Sequence, residues 1–299
     1  MTSAEWPALP YSEWLDSYET LHLYTQVIGK IQLALSPHLN EWWHVAIHPW
    51  ARGLTTGIIP YDGRLFEIMF DFTSHQLSLF DSTRAIRVID LADRTVANFY
   101  ALVLSKLDDL NIAVTIDPKP QEIDIATPFP EDTSHFRYDE PAIERFWRVL
   151  SRIVGVFEQF RSGFSGKASP VHFWWGSFDL NLTRFSGNLC SAPPHAGRMA
   201  RIDCDEEHFS AGFWPGNATF PQPAFYAYSY PALPGIEKQS VQPKSATWNP
   251  SMGEFILPYD AIRSLSDPGQ AILEFLQSSY EAIATLGKWD QAILERNVA

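Results

Sequence analysis

Within Pro170–Gly187 a histidine, an aspartate and an arginine, His172, Asp179 and Arg184, are set among large rings that include Trp174. An imidazole can move a proton, a carboxylate can hold a cation or accept a proton, and a guanidinium can grip an anion. Together they suffice to bind and orient a small polar molecule. His44 and Arg52 offer the same types in an earlier aromatic stretch, and Glu207 stands just ahead of Ala211-Gly-Phe-Trp-Pro-Gly216. Trp174, Trp214 and Tyr228 supply flat walls, and aromatic walls with a few convergent polar groups are how small-molecule sites are usually built. These nine residues are the candidate ligand-binding set, and none is assigned a catalytic step. The competing reading is an aromatic core with internal ion pairs such as Asp179 to Arg184, because 11 Trp, 11 Tyr and 20 Phe must be buried somewhere.

Other chemistries fit less well. His44, His48 and His172 invite a metal, but His-Val-Ala-Ile-His lacks the glutamate of the helical zinc-protease motif and lies in an extended context. Cys190, His195, Cys204 and His208 have zinc-site composition without the close cysteine pair that structural zinc favours, so an ordinary surface loop is the better reading. Gly163-Phe-Ser-Gly-Lys167 is too short for a phosphate loop, and Trp175-Gly-Ser-Phe is not a hydrolase nucleophile elbow. Neither a metal nor a cofactor is expected. Glu67 and Asp71 read as a solvated strand face.

The elements that must position these groups follow from periodicity. From Ser12 an apolar stripe of Trp14, Tyr18, Leu21, Ile28, Ile31 and Leu35 predicts a helix that covers a sheet and ends before Pro37. Glu41–Trp50 reads as a strand, with Ala51–Pro60 continuing or adjoining it. Phe66, Ile68, Phe70 and Phe72 alternate with polar neighbours as a half-buried strand, with Gln76–Phe80 as partner. A helix follows Asp93 and runs to about Leu110, and Ile112–Ile116 reads as a closing strand. Residues 118–138, rich in proline and acid, read as a linker between halves 1–117 and 139–299.

The second half opens with a helix capped by Asp139, with Ile143, Phe146, Trp147, Leu150, Val154, Phe157 and Phe160 as its stripe. Strands then follow over 170–187, near 202–214, at 224–230 and at 254–258, and a last helix over about 267–286. His172 and Arg184 would lie roughly 40 Å apart on one face of a straight strand. A site therefore needs a bulge or bend near Gly176–Ser177 that turns Asp179 toward His172, with His44 completing the cluster. His44 and His172 each stand eleven residues before the threonine of a Leu-Thr pair, a spacing that would fit internal duplication. The fold class is α+β, two similar halves, each an antiparallel sheet backed by amphipathic helices.

A formal charge of −13 and the lack of any basic run argue against nucleic acid. There is no secretory leader pattern and no 18-residue apolar run, so a cytoplasmic protein without a membrane partner is expected. Two cysteines suit a reducing compartment.

Several stretches carry a likeness. Leu21-His-Leu-Tyr-Thr-Gln26, Trp42-Trp-His44, Arg52-Gly-Leu-Thr-Thr56, Pro170-Val-His-Phe173, Gly176-Ser-Phe-Asp-Leu180, Thr183-Arg-Phe-Ser-Gly187, Ala211-Gly-Phe-Trp-Pro-Gly216 and Gly253-Glu-Phe-Ile-Leu-Pro-Tyr259 stand out. The chain resembles, over nearly its whole length, a family of uncharacterised bacterial proteins catalogued only as a domain of unknown function. That resemblance implies no activity and no site residues. His48, Cys190 and Cys204 depart from the family pattern, which weakens the metal readings. Two functions stay open: a cytoplasmic small-molecule-binding protein, with or without catalysis, whose aromatic-lined pocket lies near the two histidine strands, and a non-catalytic interaction or scaffold protein with an aromatic core.

Overall fold

The computed structural model describes residues 5–192, 194–197, 200–201 and 205–296. Among them are five α-helices and two antiparallel sheets of six strands each, an α+β architecture. The chain divides into two compact units. The first is Ser12–Trp147 with Phe173–Phe178, and the second comprises the residues up to Tyr11, Arg148–His172 and those from Asp179 onward. No helix among the described residues is long and apolar enough to cross a membrane.

In the first unit α1 (Tyr11–Leu35) is interrupted at Trp14, whose φ of −135° and ψ of 15° are not helical. Except for Leu35, which is half-buried, the predicted stripe is buried, but so is everything from Thr20 to Gln32. This helix is therefore a core element rather than a cover, and its buried polar side chains need partners. His22 donates from Nε2 to the carbonyls of Trp175 (3.0 Å) and Gly176 (2.9 Å), and Gln32 donates to those of Ala46 (2.9 Å) and Thr56 (3.1 Å).

The expected strand over Glu41–Trp50 is corrected. Glu41 and Trp42 have φ of 54° and 56°, a left-handed backbone that no strand accepts, so His44 lies in a turn. Only β1 (His48–Trp50) is extended, paired with β2 (Gly53–Thr55). The sheet runs β1-β2-β4-β5-β6, with β3 (Ile59–Tyr61) also on β4 (Arg64–Asp71), and β5 (Gln76–Asp81) and β6 (Ile86–Asp90) beyond. Phe66, Ile68, Phe70 and Phe72 are buried as predicted.

Helix α2 (Val96–Asp108) is capped by Thr95, whose side chain accepts the Asn98 N–H. The expected strand at Ile112–Ile116 is absent. Its first two amides go to the Leu107 carbonyl and the Tyr61 hydroxyl instead of a ladder. Asp71, read as solvated, is 5% exposed and accepts hydrogen bonds from Thr73 and Ser74 in a tight turn.

Helix α3 (Glu140–Ser162) carries the chain from one unit to the other. The other sheet has the order β11-β12-β10-β9-β8-β7, formed by β7 (His172–Trp174), of which Phe173 and Trp174 fall in the first unit, and by β8 (Asp179–Leu189), β9 (Glu206–Trp214), β10 (Ala224–Tyr230), β11 (Thr247–Asn249) and β12 (Glu254–Pro258) of the second. Helix α4 (Pro268–Leu286) starts at an Asp267 cap, and a short α5 (Gln291–Leu294) follows. Leu180, Leu182, Phe209, Phe213, Phe225 and Leu257 are buried on one face of this sheet, and α4 packs on β9 and β10. Both units run helix, strands, helix, but the two histidines do not correspond: His44 is in a turn and His172 opens β7.

Candidate functional site

The long strand expected over 170–187 breaks after Trp174. Trp175–Phe178 form a turn closed by the Phe178 N–H on the Trp174 carbonyl (2.7 Å), and Phe178 takes a φ of 59°. This is the bend expected at Gly176–Ser177. It is held in the first unit, where Trp175 donates to the Val45 carbonyl (2.9 Å) and Phe178 packs edge-on against Tyr18 at 5.0 Å. Trp175 also lies directly on Gly29, where any added Cβ would fall within 2.2 Å of its ring. Strand β8 then restarts at Asp179 with regular alternation: Asp179, Asn181 and Thr183 face one way, and Leu180, Leu182 and Arg184 face the other.

Register carries that first face across the sheet, because directly opposed residues share a face. Asn181 opposes Gly212, which opposes Tyr226, and Thr183 opposes Ser210, which opposes Tyr228. Asp179, Asn181 and Ser210 are each 5% exposed or less, and Tyr226 is 9% exposed, yet the group is polar. Their hydrogen bonds explain how that is tolerated. Tyr226 donates its hydroxyl to the Asp179 carboxylate. Asn181 donates from Nδ2 to the Tyr226 hydroxyl (3.0 Å) and to Ser210 Oγ (2.8 Å), and its Oδ1 accepts from Thr183 (3.2 Å).

Gly212 makes the network possible. Tyr226 reaches β8 by laying its ring across β9, and a Cβ at position 212 would sit 2.3 Å from that hydroxyl and 2.4 Å from the Leu180 carbonyl. Gly212→Ala should therefore lift the ring off its partners and cost about 1–3 kcal/mol as overpacking. Urea unfolding of the variant checks this, and an unchanged midpoint would refute the placement of the ring.

Burial first, and the Asp179 charge second, push the Tyr226 phenol well above 10, so it remains a donor at neutral pH. The same two causes push Glu254, on β12, from 4.5 up to about 7. A carboxyl at that value can give or take a proton near neutrality. The folded chain then holds this proton over a range in which the unfolded chain has lost it. Stability accordingly falls as pH rises from about 4.5 through about 7. Glu254→Gln should flatten that decline in denaturation midpoints measured between pH 5 and 8. A parallel decline in the variant would assign it elsewhere.

Rings line the same face. Tyr226 and Tyr228 stack at 6.2 Å and 19°, His208 and Tyr230 at 5.4 Å and 21°, and Trp214 meets Phe220 at 5.2 Å. Of the nine residues singled out in the sequence, Asp179, Trp214 and Tyr228 belong here. Arg184 lies on the opposite face, among Phe160, Phe164 and Tyr280. Glu207 accepts from Ser186 (3.2 Å) and Asn188 (3.1 Å) near the end of β9.

His172 is buried at 1% exposure, and Trp174 is half-buried at the end of β7. His44 accepts the Leu39 N–H (3.1 Å) and lies edge-on to His38 at 4.6 Å, and burial, then His38, lowers its pKa. Arg52 pairs with Asp71 (3.0 Å) and lies over Trp50 at 5.1 Å, locking a turn of the first unit. Cys204 falls outside the described residues. Among those described, no group of three or more His, Cys, Asp or Glu is placed to hold a metal ion.

Asn181, Ser210, Tyr226 and Glu254 were missing from that set. All four have a signal in retrospect: they share strand parity with Asp179, Thr183 and Tyr228 once the strands are in register.

A family model described as a family of unknown function, DUF5996, matches residues 6–296. No curated protein and no solved structure matches the chain.

Proposed function

The chain belongs to this family of unknown function, and we propose that it is a cytoplasmic protein that binds a small polar molecule on the Asp179–Tyr226 face of its second sheet. The observation that carries this reading is a buried carboxylate at the heart of a polar side-chain network, on a face where an apolar layer would be the more stable filling. Half-buried Thr183, Tyr228, Tyr230 and Glu254 border the buried members and give a ligand its approach. Asn181 and Thr183 offer donors and acceptors, and Tyr228 offers a ring face. Glu254 supplies a proton donor or acceptor should the bound molecule react.

A metabolite screen by thermal shift tests this. A ligand at about a hundred times its Kd adds about 2.7 kcal/mol, which raises Tm by roughly 5 °C. Tyr228→Ala should remove that shift while changing the unliganded Tm little. A shift that survives in both Tyr228→Ala and Asp179→Asn, or a broad panel with no shift, would favour the interaction or scaffold reading. The small apolar cluster of Trp214, Ala224, Tyr226 and Ile256 on the same face speaks for that alternative.

A further inference from the structure

Four half-buried side chains on the Asp179–Tyr226 face, Thr183, Tyr228, Tyr230 and Glu254, share one chemical property. Register sets them on the side of the buried network: Thr183 and Tyr228 both oppose Ser210, Tyr230 opposes His208, and Glu254 stands two residues from Ile256, which opposes Tyr226. Each can both donate and accept a hydrogen bond. The three hydroxyls do so by nature, and Glu254, pushed up to about 7 by burial first and by Asp179 second, is present near neutrality as acid and as carboxylate alike.

A ligand matches such groups fully only if its own polar groups are equally two-sided. An ammonium or guanidinium only donates and a carboxylate or phosphate only accepts, so either leaves part of the hydroxyl capacity of this face unmet when water is displaced. Alcohol hydroxyls do both. Charge disfavours an anion further, because the face carries the carboxyls of Asp179 and Glu254. Lys167, 4.1 Å from the centre of the Phe185 ring, is already paired with Glu206 at 3.0 Å. His208 is held below its usual 6.5 chiefly by burial, so it is neutral at pH 7.

The rings add an apolar surface of definite shape. Tyr228 and Tyr230 stand two residues apart on β10, and each has a ring nearly parallel to its own, Tyr226 at 19° and His208 at 21°. A pyranose or cyclitol has C–H faces and a rim of hydroxyls, and C–H groups polarised by neighbouring oxygens meet the negative face of an aromatic ring well. We propose, on the reading of this face as a binding site, that its ligand is a neutral polyhydroxylated ring compound, a sugar or a cyclitol. The ring lies against Tyr228, and its hydroxyls exchange hydrogen bonds with Thr183, Tyr230 and Glu254.

Saturation-transfer NMR and calorimetric titration of the full chain with glucose, galactose, mannose, xylose and myo-inositol test this. At least one of the five should bind at roughly 10 mM, and Tyr228→Ala should weaken it about tenfold or more. Glu254→Ala should also lose about tenfold, whereas Glu254→Gln, whose carboxamide still donates and accepts, should lose no more than about threefold. Urea midpoints of the variants show that each is folded when titrated. No binding by any of the five at roughly 100 mM overturns the proposal, and so does an equal loss in Glu254→Gln and Glu254→Ala, which would mean that the ligand reads charge. The two readings fail separately. If the metabolite screen finds a ligand without hydroxyls whose shift Tyr228→Ala removes, the face is a binding site and only the polyol assignment falls. If a sugar binds and neither Tyr228→Ala nor Glu254→Ala weakens it, the face is not its site and both fall.

Discussion

Arg184→Ala is expected to cost about 3–5 kcal/mol of folding stability, because it removes a buried cation that three elements are built around. The guanidinium carbon lies 3.4 Å from the centre of the Phe160 ring, 4.9 Å from that of Phe164 and 4.6 Å from that of Tyr280. Nη2 donates to the Phe160 carbonyl in the last turn of α3, where the helix dipole is negative. Burial lowers the Arg184 pKa to about 9, so the group stays charged at neutral pH. Truncation would leave a void beneath three rings. Arg184→Met keeps most of the volume and should recover part of the loss, whereas Arg184→Lys should recover less, because an ammonium cannot lie flat between rings. The midpoint of urea unfolding reads all three. If Arg184→Ala unfolds at the wild-type midpoint, the ring cage contributes nothing.

Trp147→Ala should cost a similar amount, about 3–5 kcal/mol, for a different reason. Trp147 is 8% exposed on α3 and packs at 6.0 Å against Phe72, just beyond β4, so its removal opens a hole between helix and sheet in the first unit. Trp147→Phe should cost markedly less, since most of the contact survives. Equal urea midpoints for Trp147→Ala and wild type would show that the indole is not part of that core.

The helices and most strands were legible because their signals are local. The Ile143–Phe160 stripe, the Phe66–Phe72 alternation and the 224–230 and 254–258 strands appear where periodicity puts them. Glu41–Trp50 misled because its aromatic and β-branched content suits a strand while its backbone turns left-handed at two consecutive non-glycine residues, for which composition gives no sign. The candidate site was legible only in part. Asp179, Trp214 and Tyr228 could be picked by type, but the partners that make Asp179 tolerable arrive from β9 and β10 through register, a long-range property that one strand's sequence does not hold. Arg184 shows the converse: its type suggested a ligand contact, and its parity on β8 sends it instead into the ring cage.

The six residues Phe173–Phe178 have a bearing on how the chain is made. They belong to the first unit, yet they are synthesised after α3 and after Arg148–His172, which belong to the second. At the ribosome, residues 12–147 therefore emerge without the Trp175 that covers Gly29 and without the carbonyls that accept from His22. Residues 148–178 are 31 further residues. At roughly 5–20 residues per second they take about 2–6 s to add, during which the nascent α1 has its Trp175 seat vacant and its buried imidazole short of acceptors. Completion of the first unit thus waits on translation of Arg148–His172, a segment of the second.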